Sequence, residues 1–127
     1  MDLDVFKNGP KLIDAKSTDY VSMLTRVAHK PGGSIIYVYS PYCGACKARA
    51  PGFVKAYENL TADMRSRVFR FNAALAEGRD DIFEKIVGFT ITEYPTLLGI
   101  SNQGRLVKFG DFNASTLKTS LLALAQT

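Results

Sequence analysis

Ser34-Ile35-Ile36-Tyr37-Val38-Tyr39-Ser40-Pro41-Tyr42-Cys43-Gly44-Ala45-Cys46 is the stretch that decides the fold. Residues 34 to 40 are β-branched and aromatic with almost no polar alternation, the mark of a central strand buried on both faces. Ser40-Pro41-Tyr42 ends that strand. From about Cys43 to Leu60 the spacing predicts a helix, with Phe53, Tyr57 and Leu60 on one stripe. Pro51 falls inside it, removes the bond to the Lys47 carbonyl and predicts a kink. The two cysteines of the chain thus stand where a buried strand hands over to a helix.

Toward the N-terminus, Pro31-Gly32-Gly33 breaks a helix expected over Tyr20 to Ala28, where Tyr20, Met23, Leu24 and Val27 share a face. Lys11 to Ala15 reads as a short first strand. Toward the C-terminus, Val68 to Ala73 reads as a strand. Arg79 to Val87 reads as a helix, with Asp80 and Asp81 suiting its positive end. Thr96 to Ser101 and Arg105 to Phe109 form a hairpin about Asn102-Gln103-Gly104. Asn113 is expected to cap a last helix whose apolar content is Leu117, Leu121, Leu122 and Leu124. The order β-α-β-α-β-α-β-β-α predicts an α/β sandwich, a mixed sheet flanked by helices. With 127 residues, 46% of them hydrophobic, the chain is expected to be a single domain, 1–127, with one real core.

The cysteine positions have a chemical meaning. A helix N-terminus carries unpaired N–H groups and about half a positive charge, so a thiolate there is favoured over a thiol. Cys43, at the start of the helix, is the expected exposed nucleophile. Cys46, one turn further in, is the expected buried partner that attacks a mixed disulfide. A structural disulfide closing so small a loop would restrain the unfolded chain little. A zinc site needs four ligands, and the single histidine, His29, is remote in sequence. A CxxC beside a βαβ pattern is a redox signature.

The segment Ile35 to Pro51 (IIYVYSPYCGACKARAP) resembles the active-site segment of thioredoxins and protein disulfide isomerase domains. The likeness includes Lys47 after the second cysteine and the Ala50-Pro51 pair. Tyr94-Pro95-Thr96 resembles the cis-proline loop of that family, about fifty residues beyond the cysteines. Gly110 matches a glycine flanking the substrate groove. The resemblance spans about Ser17 to Ala125 and implies a thioredoxin-like three-layer sandwich. It implies exchange through a redox-active Cys43–Cys46 disulfide without another cofactor or a metal. It implies substrate contacts by Tyr42, Gly44, Ala45, Tyr94, Pro95 and Gly110, and tuning of the thiolate by Lys47. Read alone, Pro95 is equally an ordinary trans proline opening an edge strand.

Departures from the family pattern are specific. The family has a buried acid six residues before the first cysteine, which takes the proton of the resolving thiol. Here that residue is Tyr37. A tyrosine, with an ordinary pKa of ~10, is a poor base near neutral pH, so slow resolution through Cys46 is expected. Tyr42 replaces the usual tryptophan and keeps an aromatic lid. Glu93 stands where a glycine often precedes the cis-proline pair. Arg70 occupies the place of a lysine near the active site, where it either tunes the thiolate or is a plain strand arginine. The Gly44-Ala45 dipeptide lacks both the proline of thioredoxins and the histidine of isomerases, which implies a reduction potential between those groups.

Other features bound the function. Two cysteines are no secreted disulfide framework. Met1-Asp2-Leu3-Asp4-Val5-Phe6-Lys7 lacks the basic start and apolar run of a signal peptide. A cytoplasmic address is expected, or a secretory lumen or packaged particle had a leader been removed. The net charge of +4 speaks to solubility, and no nucleic-acid motif accompanies it. No run approaches the length of a membrane span. Asn59-Leu60-Thr61 and Asn113-Ala114-Ser115 are sequons expected to be idle. The expected partners are protein disulfides and a recycling reductase, with the chain a monomer and with no nucleic-acid or membrane binding. Oxidase or isomerase action, and non-catalytic binding on the same fold, are the alternatives.

Overall fold

A computed structural model describes residues 9–109 and 116–127. Its centre is β2, Ser34–Tyr39, in which all six residues are buried. Successive side chains of a strand point to opposite faces, and each face of β2 meets its own core. Ile35, Tyr37 and Tyr39 enter one apolar cluster. Ile36 and Val38 enter the other. That is why this segment has no polar alternation: neither face sees water.

Around β2 the sheet is ordered β1-β3-β2-β4-β5. β1, Lys11–Leu12, runs parallel to β3, Val68–Asn72, and β3 runs parallel to β2. β4, Thr96–Ile100, is antiparallel to β2, and β5, Leu106–Phe109, is antiparallel to β4. The sheet is mixed, with the parallel strands on one side of β2 and the antiparallel hairpin on the other.

Helices cover both faces. α2, Gly44–Glu58, contributes Cys46, Ala50 and Phe53 to the first cluster. α5, Leu117–Gln126, adds Leu117, Leu121 and Leu124 to it. α1, Tyr20–Ala28, and α4, Asp80–Val87, close the second with Tyr20, Leu24, Val27 and Phe83. The layers are therefore helix, sheet, helix, as the sequence order predicts.

Several boundaries differ from the sequence expectation. The last helix begins at Leu117 with Thr116 at its cap, and the expected cap, Asn113, lies outside the described residues. Leu122 is half exposed, because 117, 121 and 124 follow one helical face and 122 does not. A one-turn helix α3, Ala62–Arg65, was not anticipated. Thr61 starts it by accepting from the Met64 N–H at 3.2 Å. A 3-10 turn at Ala73–Ala76 likewise follows β3. α2 contains Pro51, as expected, and ends at Glu58, two residues short of the expected Leu60.

Arg67 is a core residue although charged. It is 6% exposed, and its guanidinium donates to the carbonyls of Gly32 and Leu121. It ties the Pro31-Gly32-Gly33 turn to the start of β3 and to α5. Gly33 is required there: it has φ +86°, and a Cβ would lie 2.6 Å from the Ile100 carbonyl oxygen.

Candidate functional site

The C-terminal end of β2 delivers the chain into a tight turn at Ser40-Pro41-Tyr42. The Ser40 hydroxyl accepts from the Tyr42 N–H at 3.2 Å, and the Ser40 carbonyl accepts from the Cys43 N–H at 3.2 Å. Cys43 leaves this turn in an extended conformation, φ −94° and ψ 119°, as the N-cap of α2. Its sulfur takes the place that a serine or aspartate oxygen takes in an ordinary cap, accepting from the Cys46 N–H at 3.3 Å. The sulfur thus faces the unpaired amides and positive end of a 15-residue helix.

The two thiols are free in this structure and differ in environment: Cys43 is half-buried, Cys46 buried. The Cys43 pKa is lowered from the ordinary cysteine value. The main cause is a hydrogen bond from the Cys46 thiol, assisted by the backbone N–H groups of Cys46 and Ala45 and opposed by partial burial. The Cys46 pKa is raised, chiefly by burial, against a hydrogen bond with the Ser40 backbone. The capping position and the depth of each sulfur favour the thiolate at Cys43 and the thiol at Cys46.

The loop that leads into β4, the antiparallel neighbour of β2, completes the site. The Tyr94–Pro95 peptide bond is cis. The Cys43 thiol lies 3.7 Å from the Tyr94 carbonyl oxygen, toward which it donates. Thr96, buried at the head of β4, donates its hydroxyl to the Glu93 carbonyl at 2.8 Å and holds the loop closed. Tyr42 is 79% exposed and Tyr94 41% exposed. Two exposed tyrosines thus belong to the segments that meet at the Cys43 sulfur, one the residue before it and the other the residue whose carbonyl it faces.

Beneath the cysteines lies Tyr37. It is fully buried, and its ring stacks on Phe53 with centroids 4.5 Å apart. Its hydroxyl donates to the Cys46 carbonyl at 3.4 Å. Burial pushes its pKa up, far above the ordinary tyrosine value. In this environment the phenol stays protonated and is a donor and packing group, not a base.

The chain superposes on mitochondrial thioredoxin 3 of Saccharomyces cerevisiae with a TM-score of 0.61 and 18% identity, over 92% of this chain and 96% of that one. On the thioredoxin of Malassezia sympodialis the TM-score is 0.59 at 20% identity, covering 92% and 91% of the two chains. On oxidised thioredoxin of Plasmodium falciparum it is 0.58 at 19% identity, covering 92% and 99%. The chain has the thioredoxin fold. No protein-family model matches the sequence, and no curated protein matches it either. The likeness is thus one of three-dimensional structure.

Within this thioredoxin fold the remaining residues singled out from the sequence take these places. Gly44 and Ala45 form the exposed first turn of α2, and Lys47 is exposed one step beyond Cys46. Arg70 donates to the Tyr39 hydroxyl at 2.9 Å and to the Pro10 carbonyl at 2.9 Å. Its charge bears on Tyr39, whose pKa it lowers against a larger rise from burial. Glu93 pairs with Lys108 at 3.0 Å. His29 ends α1, with Nδ1 2.9 Å from the Thr25 carbonyl oxygen. Gly110 lies outside the described residues. Among the described residues no group of three or more His, Cys, Asp or Glu is placed to hold a metal. Among them, too, no helix is long and apolar enough to cross a membrane.

The hydroxyls of Ser40 and Thr96, which brace the two loops beside Cys43, have no role in the sequence pattern as read above. Both are small hydroxyl residues at strand ends beside a proline, and that pattern is the signal that could have found them.

Proposed function

We propose that the protein is a thiol–disulfide oxidoreductase acting on protein disulfides. The observation that carries this is the Cys43 sulfur capping α2 at 3.3 Å from the Cys46 N–H, with the Cys46 thiol buried beneath it. The Cys43 thiolate attacks one sulfur of a substrate disulfide. That S–S bond breaks, a mixed disulfide forms, and the departing substrate thiolate takes a proton. Cys46 then loses its proton and attacks the Cys43 sulfur, releasing the second substrate thiol. Two electrons pass from the dithiol to the substrate, and a Cys43–Cys46 disulfide remains. A dithiol reductant, supplied by a recycling reductase, returns it to the start. The exchange needs no organic cofactor and no metal.

The exposed rings of Tyr42 and Tyr94 and the Tyr94 carbonyl offer an extended substrate strand an apolar and hydrogen-bonding seat beside Cys43. Tyr37 keeps its proton, and among the described residues no carboxylate is buried to take the proton of Cys46, so the mixed disulfide is resolved slowly. The test is reduction of insulin by dithiothreitol. Wild-type protein accelerates it and Cys43→Ser abolishes the acceleration. Cys46→Ser accumulates a covalent adduct through Cys43. Acceleration retained by Cys43→Ser would overturn the proposal.

A further inference from the structure

A cavity lies at the far end of the sheet from the cysteines. β2 and β3 run parallel from the Ile35–Val68 pair to the Tyr39–Asn72 pair, and only the latter end leads to the cysteines. Four residues of strand, about 13 Å at ~3.3 Å each, separate the two ends. At the Val68 end a cavity of about 500 Å³ opens between β1, β3, α1 and α3. That volume falls in the range of small-ligand sites, roughly 300–1,000 Å³.

Its chemistry is two-part. Ile13, Val27, Val68 and Phe69 supply a floor of buried apolar side chains. Lys11, Arg26, Lys30 and Arg65 surround that floor, and among the described residues no carboxylate lines it. Among the described residues the chain forms two ion pairs, Arg67–Asp63 and Lys108–Glu93, and none of these four cations takes part in either. Arg26 donates to the Ser22 hydroxyl and Arg65 to the Leu60 carbonyl, both neutral acceptors. Four cations around one cavity sum to a positive local potential that attracts an anion. The apolar floor favours a hydrocarbon chain or ring over a hydrated inorganic ion.

We infer that this cavity binds a small amphipathic anion, an apolar tail carrying an anionic headgroup. The tail lies on Val27, Val68 and Phe69, and the headgroup meets the lysines and arginines at the rim. This inference is independent of the redox reading, because neither cysteine lines the cavity.

The experiment is a titration of the reduced full chain with decanoate below its micelle concentration, followed by amide chemical shifts in two-dimensional NMR. Decanol, acetate and an eight-nucleotide single-stranded DNA serve as parallel probes. Decanoate is expected to shift the amides of Ile13, Val27, Val68 and Phe69 saturably. Decanol and acetate should bind at least tenfold more weakly. The Lys11→Glu/Lys30→Glu double variant should lose at least fivefold in decanoate affinity while keeping its thermal melting and its insulin-reduction rate. Three results would overturn the inference. One is the absence of saturable shifts in this cavity; another is decanol binding as tightly as decanoate. The third is the oligonucleotide occupying the cavity in place of decanoate.

Discussion

Replacing Tyr37 by phenylalanine separates what this residue does for packing from what it could do for chemistry. The substitution removes one oxygen and leaves the ring stacked on Phe53, 4.5 Å between centroids. The bond lost is the 3.4 Å contact to the Cys46 carbonyl, at the long end of the hydrogen-bond range. That carbonyl lies in the first turn of α2 and retains the helical geometry in which a residue four further on can donate to it. The cost therefore falls at the lower end for a neutral hydrogen bond, about 0.5–1 kcal/mol. In a domain of this size that is a fall in Tm of roughly 2–5 °C. Resolution of the mixed disulfide should change by less than about twofold, because a phenol held protonated by burial is not the base. Thermal unfolding followed by circular dichroism gives the first quantity. Acid-quench analysis of a preformed Cys43 adduct gives the second. A tenfold or greater slowing of adduct resolution in Tyr37→Phe would refute the assignment of Tyr37 as a passive group.

Other consequences are as direct. Burial raises the Cys46 pKa and attack requires its thiolate, so adduct resolution should accelerate as pH rises from neutral, about tenfold per unit while the thiol remains mostly protonated; a flat profile would show that another group takes the proton. Arg67→Ala strips the Gly32 carbonyl of its buried donor and should cost about 1–3 kcal/mol in urea unfolding, whereas an unchanged midpoint would show that the charge gives no net stabilisation. Gly33→Ala places a Cβ 2.6 Å from a backbone oxygen, whereas Gly78→Ala, at a similar positive φ, meets nothing within 4 Å. Gly78→Ala should therefore cost about 1 kcal/mol and Gly33→Ala distinctly more, and equal losses in thermal unfolding would contradict the packing described around Ile100.

The parts of the fold that were legible in the sequence are those whose cause is local. β2 could be read because a strand covered on both faces cannot alternate polar with apolar residues. The handover from strand to helix at Cys43 could be read because Ser40-Pro41 stops one and the capping cysteine starts the other. The short elements were not legible. α3 has only four residues and rests on the Thr61 cap, a signal no stronger than chance Thr-x-x-Met spacing. The burial of Arg67 was hidden because its partner Gly32 lies 35 residues away. Composition places an arginine at the surface unless such a partner is known. Arg70 shows the same limit. Its family place left open thiolate tuning and a plain strand arginine, and its bond to the Tyr39 hydroxyl depends on the parallel register of β2 and β3, which single-strand patterning does not encode. The distal cavity escaped for a similar reason. Its cations come from β1, α1, α3 and the turn after α1, and they converge only after the sheet is assembled.

The account depends on Cys43 being the sulfur that ionises first. Its direct test is the pH dependence of iodoacetamide alkylation of the fully reduced protein, with each cysteine resolved by peptide mass spectrometry. Cys43 should be modified with a midpoint below the ~8.5 of an ordinary cysteine, while Cys46 stays protected. Modification of Cys46 first, or a Cys43 midpoint at or above that of a free thiol, would contradict it.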